Sequence, residues 1–491
     1  MTAPLMLSSR IAQGIWEARG LSREEAQEAT VLVQRLGYFT PKNRERTLWY
    51  DAKHAVEHLG IAVPKQLESV APVLGWPARS VDDLAERTIL DGFVAPGDTW
   101  ERLQLDTIWS DNRMPMLAQM VHTSAYKYAV TFVAAIQGGT GEPDVLTPAY
   151  SATASTGRWD AVRGRLSSFL TLTKRDAYGQ VTGFILFTDS ATIICTVIDG
   201  KWDVDRREHN IGRVPVVPFV HNPSVEWEFG TSRISRPVVS ITQRAVRTLL
   251  RMEVSAEFYS SPQRAVLGAD ESDFIDSATG NMRSGWEVTI GKLLALGRDE
   301  NGELPTVQQF AQATMQPHTE MIRSDAALFS GETGIPIDTL GVVHDNPSSA
   351  EGVEARYKKL NAAAEKAIKC FEGGWADLMR IAVMIREDSA EAANPLSQLS
   401  ANFRRPHEPT VGEASDAMVK QVSAIPWLAE SKVTLRRLGY TKAEIDELLA
   451  DKRRSGVGSL VASLRGAASE ARSDATVAEV AGSRGSAPVE E

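Results

Sequence analysis

Apolar side chains at Val238, Ile241, Ala245, Leu249, Met252, Ala256 and Tyr259 fall three or four residues apart. With 3.6 residues per turn, that spacing puts all seven on one helix face. Ser235 offers an N-cap, Pro237 sits in the first turn where its missing N–H costs little, and Pro262 ends the run. The pattern predicts a helix from Ser235 to Ser260. Arg244, Arg247 and Arg251 form a second row on another face. Alone, that row reads either as the solvated side of a core helix or as partners for Glu253 and Glu257 of a neighbouring copy.

Elsewhere the pattern changes along the chain. The first ninety residues read as helices. Ser22 and Glu25 form a capping box whose helix closes at Gly37, Thr40-Pro41 opens a helix ending near Gly60, and a third runs from Ser80 to Asp91. After a helix from Met114 to Thr123, β-branched and aromatic runs appear at Tyr128–Ala134, Val181–Phe187, Ile193–Val197, Trp202–Asp205 and Val214–Val220. Gly, Asp and Asn turns separate them, which predicts an antiparallel sheet. Beyond Pro262, Ala265–Leu267 and Trp286–Leu296 read as strands around an acidic loop holding Asp270, Glu271, Asp273 and Asp276. A helix from Pro317 to Ser330 carries His318, Ile322, Ala326 and Phe329 on one face and stops at Gly331, Gly334 and Pro336. The loop Gly341–Ser349 then leads to the longest pattern. From Ser349 to Arg386, capped by Ser348 and Glu351, ten apolar positions keep helical spacing. At 1.5 Å per residue this helix is roughly 57 Å long, a length with little to bury against in one subunit. Gly373-Gly374 inside it predicts a kink. Short helices follow at Gly412–Val422, Ser431–Leu438 and Lys442–Ala450, and the small polar residues after Lys452 predict a disordered tail.

This order of elements predicts an α+β fold, and 491 residues call for more than one core. A formal charge of -10 argues against tight non-specific wrapping of nucleic acid, which needs a basic surface. Cys195 and Cys370 stand far apart with no metal-ligand spacing, so they read as free thiols. The N-terminus lacks a secretory pattern, and no apolar run is long enough to span a bilayer.

No catalytic constellation emerges. The approach to a phosphate loop at Gly285 to Gly291-Lys292 has its glycines one residue too far apart, and Leu293 replaces the Ser/Thr that would hold magnesium. The Asp270 loop lacks the residue order of a calcium loop. Arg206-Arg-Glu-His-Asn210 reads as a polar turn, and Asp203 and Asp205 as solvent-facing strand residues. No catalytic, cofactor-binding or metal-binding residue is assigned.

Several stretches in fixed order carry a family resemblance. They are Thr107-Ile-Trp-Ser-Asp-Asn112, Arg206-Arg-Glu-His209 with Gly212-Arg-Val-Pro-Val-Val-Pro218, and Phe229-Gly-Thr-Ser-Arg-Ile-Ser-Arg-Pro-Val-Val-Ser240. Thr248-Leu-Leu-Arg-Met-Glu-Val-Ser-Ala-Glu-Phe-Tyr259 and Pro262-Gln-Arg264 complete them. From about Trp49 to Ala450 the chain resembles the portal proteins of tailed bacteriophages, specifically the siphovirus type. The resemblance implies a homo-oligomeric ring of about twelve copies at one capsid vertex, through which double-stranded DNA is packaged and ejected. It implies a wing (1–228), a first stem helix (229–261), a clip (262–312), a second stem helix (313–336), a tunnel loop with the start of a long helix (337–374), a crown (375–450) and a tail (451–491). His344, Asp345, Asn346, Pro347 and Ser348 become candidates for the channel constriction. Arg244, Arg247 and Arg251 become candidates for stem contacts between subunits, and Asp270, Glu271, Asp273 and Asp276 for a partner-binding clip loop. Implied partners are the terminase large subunit, head-tail adaptor proteins, and the major capsid and scaffolding proteins. No cofactor is implied, and the location is the virion, with the host cytoplasm during assembly. A cellular helical scaffold or a phage assembly enzyme are the competing readings.

Overall fold

A computed structural model describes residues 20–54, 72–177, 181–199, 201–259, 264–267, 275, 306–309, 314–342, 350–406, 411–431, 434–435, 438–440 and 444–454. The chain divides into two compact units, Met1–Pro406 and His407–Glu491.

In chain order the first unit opens with α1 (Arg23–Tyr50), α2 (Trp76–Ala85), β1 (Leu90–Val94), α3 (Thr99–Arg102), α4 (Leu105–Asp111) and α5 (Met114–Tyr128). Ten strands follow: β2 (Val130–Ala134), β3 (Ile136–Gln137), β4 (Val145–Leu146), β5 (Ala149–Ser151), β6 (Ser155–Asp160), β7 (Arg165–Arg175), β8 (Val181–Phe187), β9 (Ala191–Ile198), β10 (Lys201–Glu208) and β11 (Val216–Val220). Then come α6 (Arg236–Tyr259), β12 (Arg264–Leu267), β13 (Thr306–Gln309), α7 (Gln316–Thr333), α8 (Ala350–Glu387) and β14 (Ser400–Phe403). In the second unit, α9 covers Val411–Ala424.

Strands β10-β9-β8-β7-β6 make a five-stranded meander, antiparallel throughout. One face of α1, with Ala26, Ala29, Leu32 and Val33, packs on it against Leu170, Phe184, Leu186 and Ile193. The expected capping box forms: Glu25 N–H donates to Ser22 Oγ at 3.1 Å and Ser22 N–H to Glu25 Oε2 at 2.8 Å. The expected break at Gly37 and Thr40-Pro41 does not occur, because α1 runs through both. Buried residues lie on both sides of Pro41, and Asn43 Nδ2 donates to the Ala152 carbonyl at 3.0 Å. Tertiary anchoring there outweighs the local cost of proline. The expected end near Gly60 lies outside the described residues.

The helix expected from Ser80 to Asp91 is displaced toward the N-terminus as α2, and Leu90–Val94 is instead a strand paired with β14. That partner lies some three hundred residues on and leaves no local signal. Arg206 to Glu208 are strand rather than turn. Asp203 and Asp205 are exposed, as their alternation predicts.

The largest core surrounds α8. Phe371, Trp375, Leu378, Met379, Ala382 and Val383 are buried against Phe219, Tyr126 and Leu105. Full burial of such large apolar side chains stabilises by about 2–3 kcal/mol each. The long helix therefore has a partner surface within its own chain, contrary to expectation. Trp375, the expected start of the crown, sits in the middle of this core, and the first unit continues to Pro406. Helical structure is uninterrupted through Gly373-Gly374. Gly374 lies against the Phe219 ring, where an added Cβ would stand 3.1 Å from a ring carbon, whereas Gly373 faces open space. Gly374→Ala is expected to lower the unfolding midpoint in urea, and Gly373→Ala to raise stability by about 1 kcal/mol through helix propensity. Equal effects of the two substitutions would contradict this packing.

His122 is wholly buried in the same core. Its Nδ1–H donates to the Thr88 carbonyl at 2.8 Å, its Nε2 accepts the Trp375 indole N–H at 2.9 Å, and its ring stacks on Phe371 at 4.7 Å. Burial pushes its pKa down to about 4. Between about pH 6.5 and 4 the unfolded chain takes up a proton that the folded chain refuses. This contribution is complete above the unfolded pKa and is lost as pH falls through that window, at up to about 1.4 kcal/mol per unit. Urea unfolding across this range should show a shallower slope in His122→Gln than in the natural chain; part of the slope persists because burial pushes the pKa of His221 down to about 4 as well.

Candidate functional site

The four expected clip residues Asp270, Glu271, Asp273 and Asp276 lie outside the described residues, as do His344, Asp345, Asn346, Pro347 and Ser348 of the tunnel loop. Of the two expected clip strands, the first is present as β12 and pairs antiparallel with β13, while Trp286–Leu296 is outside the described residues.

The two ends of segment 343–349 are tied by side chains. Upstream, α7 runs through Gly331 and stops at Gly334, whose φ of +79° closes it in the left-handed region. A 3-10 turn, Ile337–Leu340, follows, and the Trp76 indole donates to the Leu340 carbonyl at 3.4 Å. Downstream, Arg356 in the second turn of α8 pairs with Asp338, and Lys359 donates to the Gly331 carbonyl. The guanidinium of Arg87 lies 4.9 Å over the Tyr357 ring. The chain thus leaves and re-enters this segment from bonded positions.

Helices α6 and α7 pack along each other. The buried stripe of α6 runs Val238, Thr242, Val246, Leu250 and Val254, with Ala245 beside it. Thr248 is buried as well, so the buried face keeps Val238 and Ala245 of the predicted one and otherwise takes neighbouring positions. Ile241, Leu249 and Met252 are only half-buried, and Ala256 is exposed. Arg244 pairs within the chain, donating from Nε to Asp325 Oδ1 at 2.6 Å, rather than waiting for a neighbour. Asp325 is buried on α7, and its Oδ2 has no partner among the described residues. Arg247 and Arg251 make no ion pair among the described residues, so the structure does not join the arginine row into one site.

The junction leading into α6 carries constraints that the sequence reading gave no role. Gly230 has φ +66°, and a Cβ there would lie 2.1 Å from the His221 carbonyl oxygen. Arg233 donates from Nε to the Ser80 carbonyl at 3.0 Å and from Nη2 to the Thr333 carbonyl at 2.8 Å, while its own N–H reaches the Tyr126 carbonyl at 2.9 Å. Burial lowers its pKa without discharging it at neutral pH. The side chain thus ties α2 to the end of α7, and the backbone of the same residue ties the entry of α6 to α5. Both residues fall in the stretch from Phe229 to Ser240. An arginine flanked by Ser232 and Ile234 between a β region and a helix is the one local sign of such a clamp.

The model of the phage portal proteins described as SPP1 Gp6-like matches residues 40–456. The chain belongs to this family. Among curated portal proteins, that of Mycobacterium phage D29 is 26% identical over 460 residues, covering 91% of this chain and 90% of the relative. The portal protein of Mycobacterium phage L5 is 26% identical over 411 residues, covering 82% and 83%. A solved structure described as the neck of a native gene transfer agent particle, computed with C12 symmetry, aligns at 13% identity and a TM-score of 0.36, covering 79% of this chain and 97% of that one.

In this portal-family chain, the stretches that carry the resemblance are joints between elements. Arg206 binds both Glu25 oxygens, at 2.8 and 2.7 Å, and so ties β10 to the cap of α1. Asn210 donates twice to Asp388, at 2.8 Å each, and those bonds hold the Asp388 carboxyl below its ordinary range. Arg213 grips Asp377 of α8 with two parallel bonds of 3.0 and 2.6 Å. The portal family is a structural one, and these residues tie its elements together.

Proposed function

We propose that this portal protein assembles into a closed homo-oligomeric ring of about twelve copies at one vertex of a phage capsid, with a central channel for double-stranded DNA. The family match across residues 40–456 carries this reading. The residues around 76–220 together with 350–406 are the wing body, α6 and α7 the stem, the segment between them the clip, and the unit from His407 the crown. This assignment moves the crown boundary from Trp375 to the division between compact units.

The segment 343–349, carried on the tied ends of α7 and α8, is the channel loop, with His344, Asp345, Asn346, Pro347 and Ser348 at its constriction. Twelve copies at -10 each give a ring charge of about -120. Like charge lets a duplex slide without being held, which suits a conduit. The acidic residues Asp270, Glu271, Asp273 and Asp276 form the docking edge, first for the terminase large subunit and later for head-tail adaptor proteins. Capsid and scaffolding proteins contact the outer wing, so assembly begins in the host cytoplasm and ends in the virion. The ring performs no reaction of its own; the packaging motor supplies the work.

The test is genetic. A phage lacking this protein should assemble heads that contain no DNA, and supplying the protein in trans should restore packaging. DNA-filled heads formed without it would overturn the reading.

A further inference from the structure

Residues 221–230 form a loop that is rigid at its base and apolar at its tip. The backbone N–H groups of Ser224 and Trp227 each donate to the other's carbonyl at 3.2 Å, and Gly230 N–H closes on the Trp227 carbonyl at 2.8 Å. Lys366 holds Asn222, which in turn donates to Thr231. Glu228 pairs with Arg35 at 3.0 Å, and the same guanidinium lies over the Phe229 ring. Yet Val225 is 98% exposed and Trp227 63% exposed. Between them Glu226 is exposed and has no ion-pair partner among the described residues. A tryptophan fixed outward on a bonded loop loses little freedom on binding, which is the condition for an interface anchor.

A matching surface lies on the same chain. Thr40, Pro41, Arg44, Glu45, Leu48 and His54 line an open cavity of about 290 Å³ on α1, in which Pro41 and Leu48 supply the apolar surface. Tyr38, 79% exposed, stands one turn away on the same face. Arg44 is exposed and makes no ion pair among the described residues. Arg35 and Arg44 are nine residues apart, two and a half helical turns, and so lie on opposite sides of α1. The loop is bound to the Arg35 side and cannot reach the cavity on its own chain. Two different, complementary patches on opposite sides of one element suit a head-to-tail contact that can close into a ring.

We infer that Trp227 of each copy enters the α1 cavity of the next, with Glu226 facing Arg44. The occupant is a second copy of this chain: the Trp227 ring meets the Pro41 and Leu48 side chains, and the unpaired Glu226 meets the unpaired Arg44 guanidinium. This deepens the ring reading and rests on it.

The experiment uses the full-length protein. Glu226→Cys with Arg44→Cys, mildly oxidised, should give a ladder of covalent multiples on a non-reducing gel. The pair Val162→Cys with Arg44→Cys should not, since exposed Val162 lies outside the loop. Trp227→Ala should cut the fraction of assembled protein in native mass spectra by roughly tenfold. Glu226→Arg should weaken assembly, and adding Arg44→Glu should restore it. No ladder, an equal ladder from the control pair, or natural assembly in Trp227→Ala would overturn the contact. Rings that persist in Trp227→Ala sink this interface and leave the ring reading intact. A ladder from a protein that never closes into rings supports the contact and removes the ring.

Discussion

Gly230→Ala is expected to be among the most damaging single substitutions in the first unit, costing about 4 kcal/mol of unfolding free energy. Two effects add. Alanine at φ +66° is in the left-handed region, a cost of about 1–2 kcal/mol. The added carbon would also sit 2.1 Å from the His221 carbonyl oxygen and 2.7 Å from Val220 Cγ1. Neither can yield without moving the loop base, because His221 N–H is bonded to Ala129 and its carbonyl receives Thr231. Gly212 provides the control. It has φ +64° but open space around its Cβ position, so Gly212→Ala should cost only about 1–2 kcal/mol. Urea unfolding of the two variants checks this. Equal losses would show that backbone conformation, not the close approach, sets the cost.

The second large effect is at Arg233. Arg233→Met keeps most of the volume but leaves the Ser80 and Thr333 carbonyls without their donor. An unsatisfied buried polar group costs about 1–3 kcal/mol, so the expected loss is about 3–5 kcal/mol. Arg233→Lys should recover little, since one ammonium cannot reproduce the fork that spans two separate carbonyls. Denaturation midpoints of both variants decide it. A lysine variant as stable as the natural chain would reduce Arg233 to a simple point charge.

Much of the architecture could be read from spacing. The capping box at Ser22, the strands at 181–187 and 191–198, and helices α6, α7 and α8 follow from local patterns, with ends within a few residues. The failures share a cause. Pro41 passes through α1 because Asn43 and Trp49 are anchored by distant residues. The strand at Leu90–Val94 depends on a partner near residue 400. The interior of α8 is set by His122 and Phe219, which no periodicity links to it. The buried face of α6 takes in Thr242 and Thr248, polar residues that an apolar pattern leaves out. At the candidate site, the resemblance directed attention to loops, where polar residues are abundant and nothing local marks one as special. Gly230 and Arg233 fall between Phe229 and Ser240, but their roles depend on carbonyls from four separate elements.

Electron microscopy of the purified full-length protein, with native mass on the same sample, tests the central claim most directly. The account predicts closed rings with a central hole and a mass near twelve chains. A uniform monomer or dimer, unchanged when scaffolding and capsid proteins are added, would contradict it.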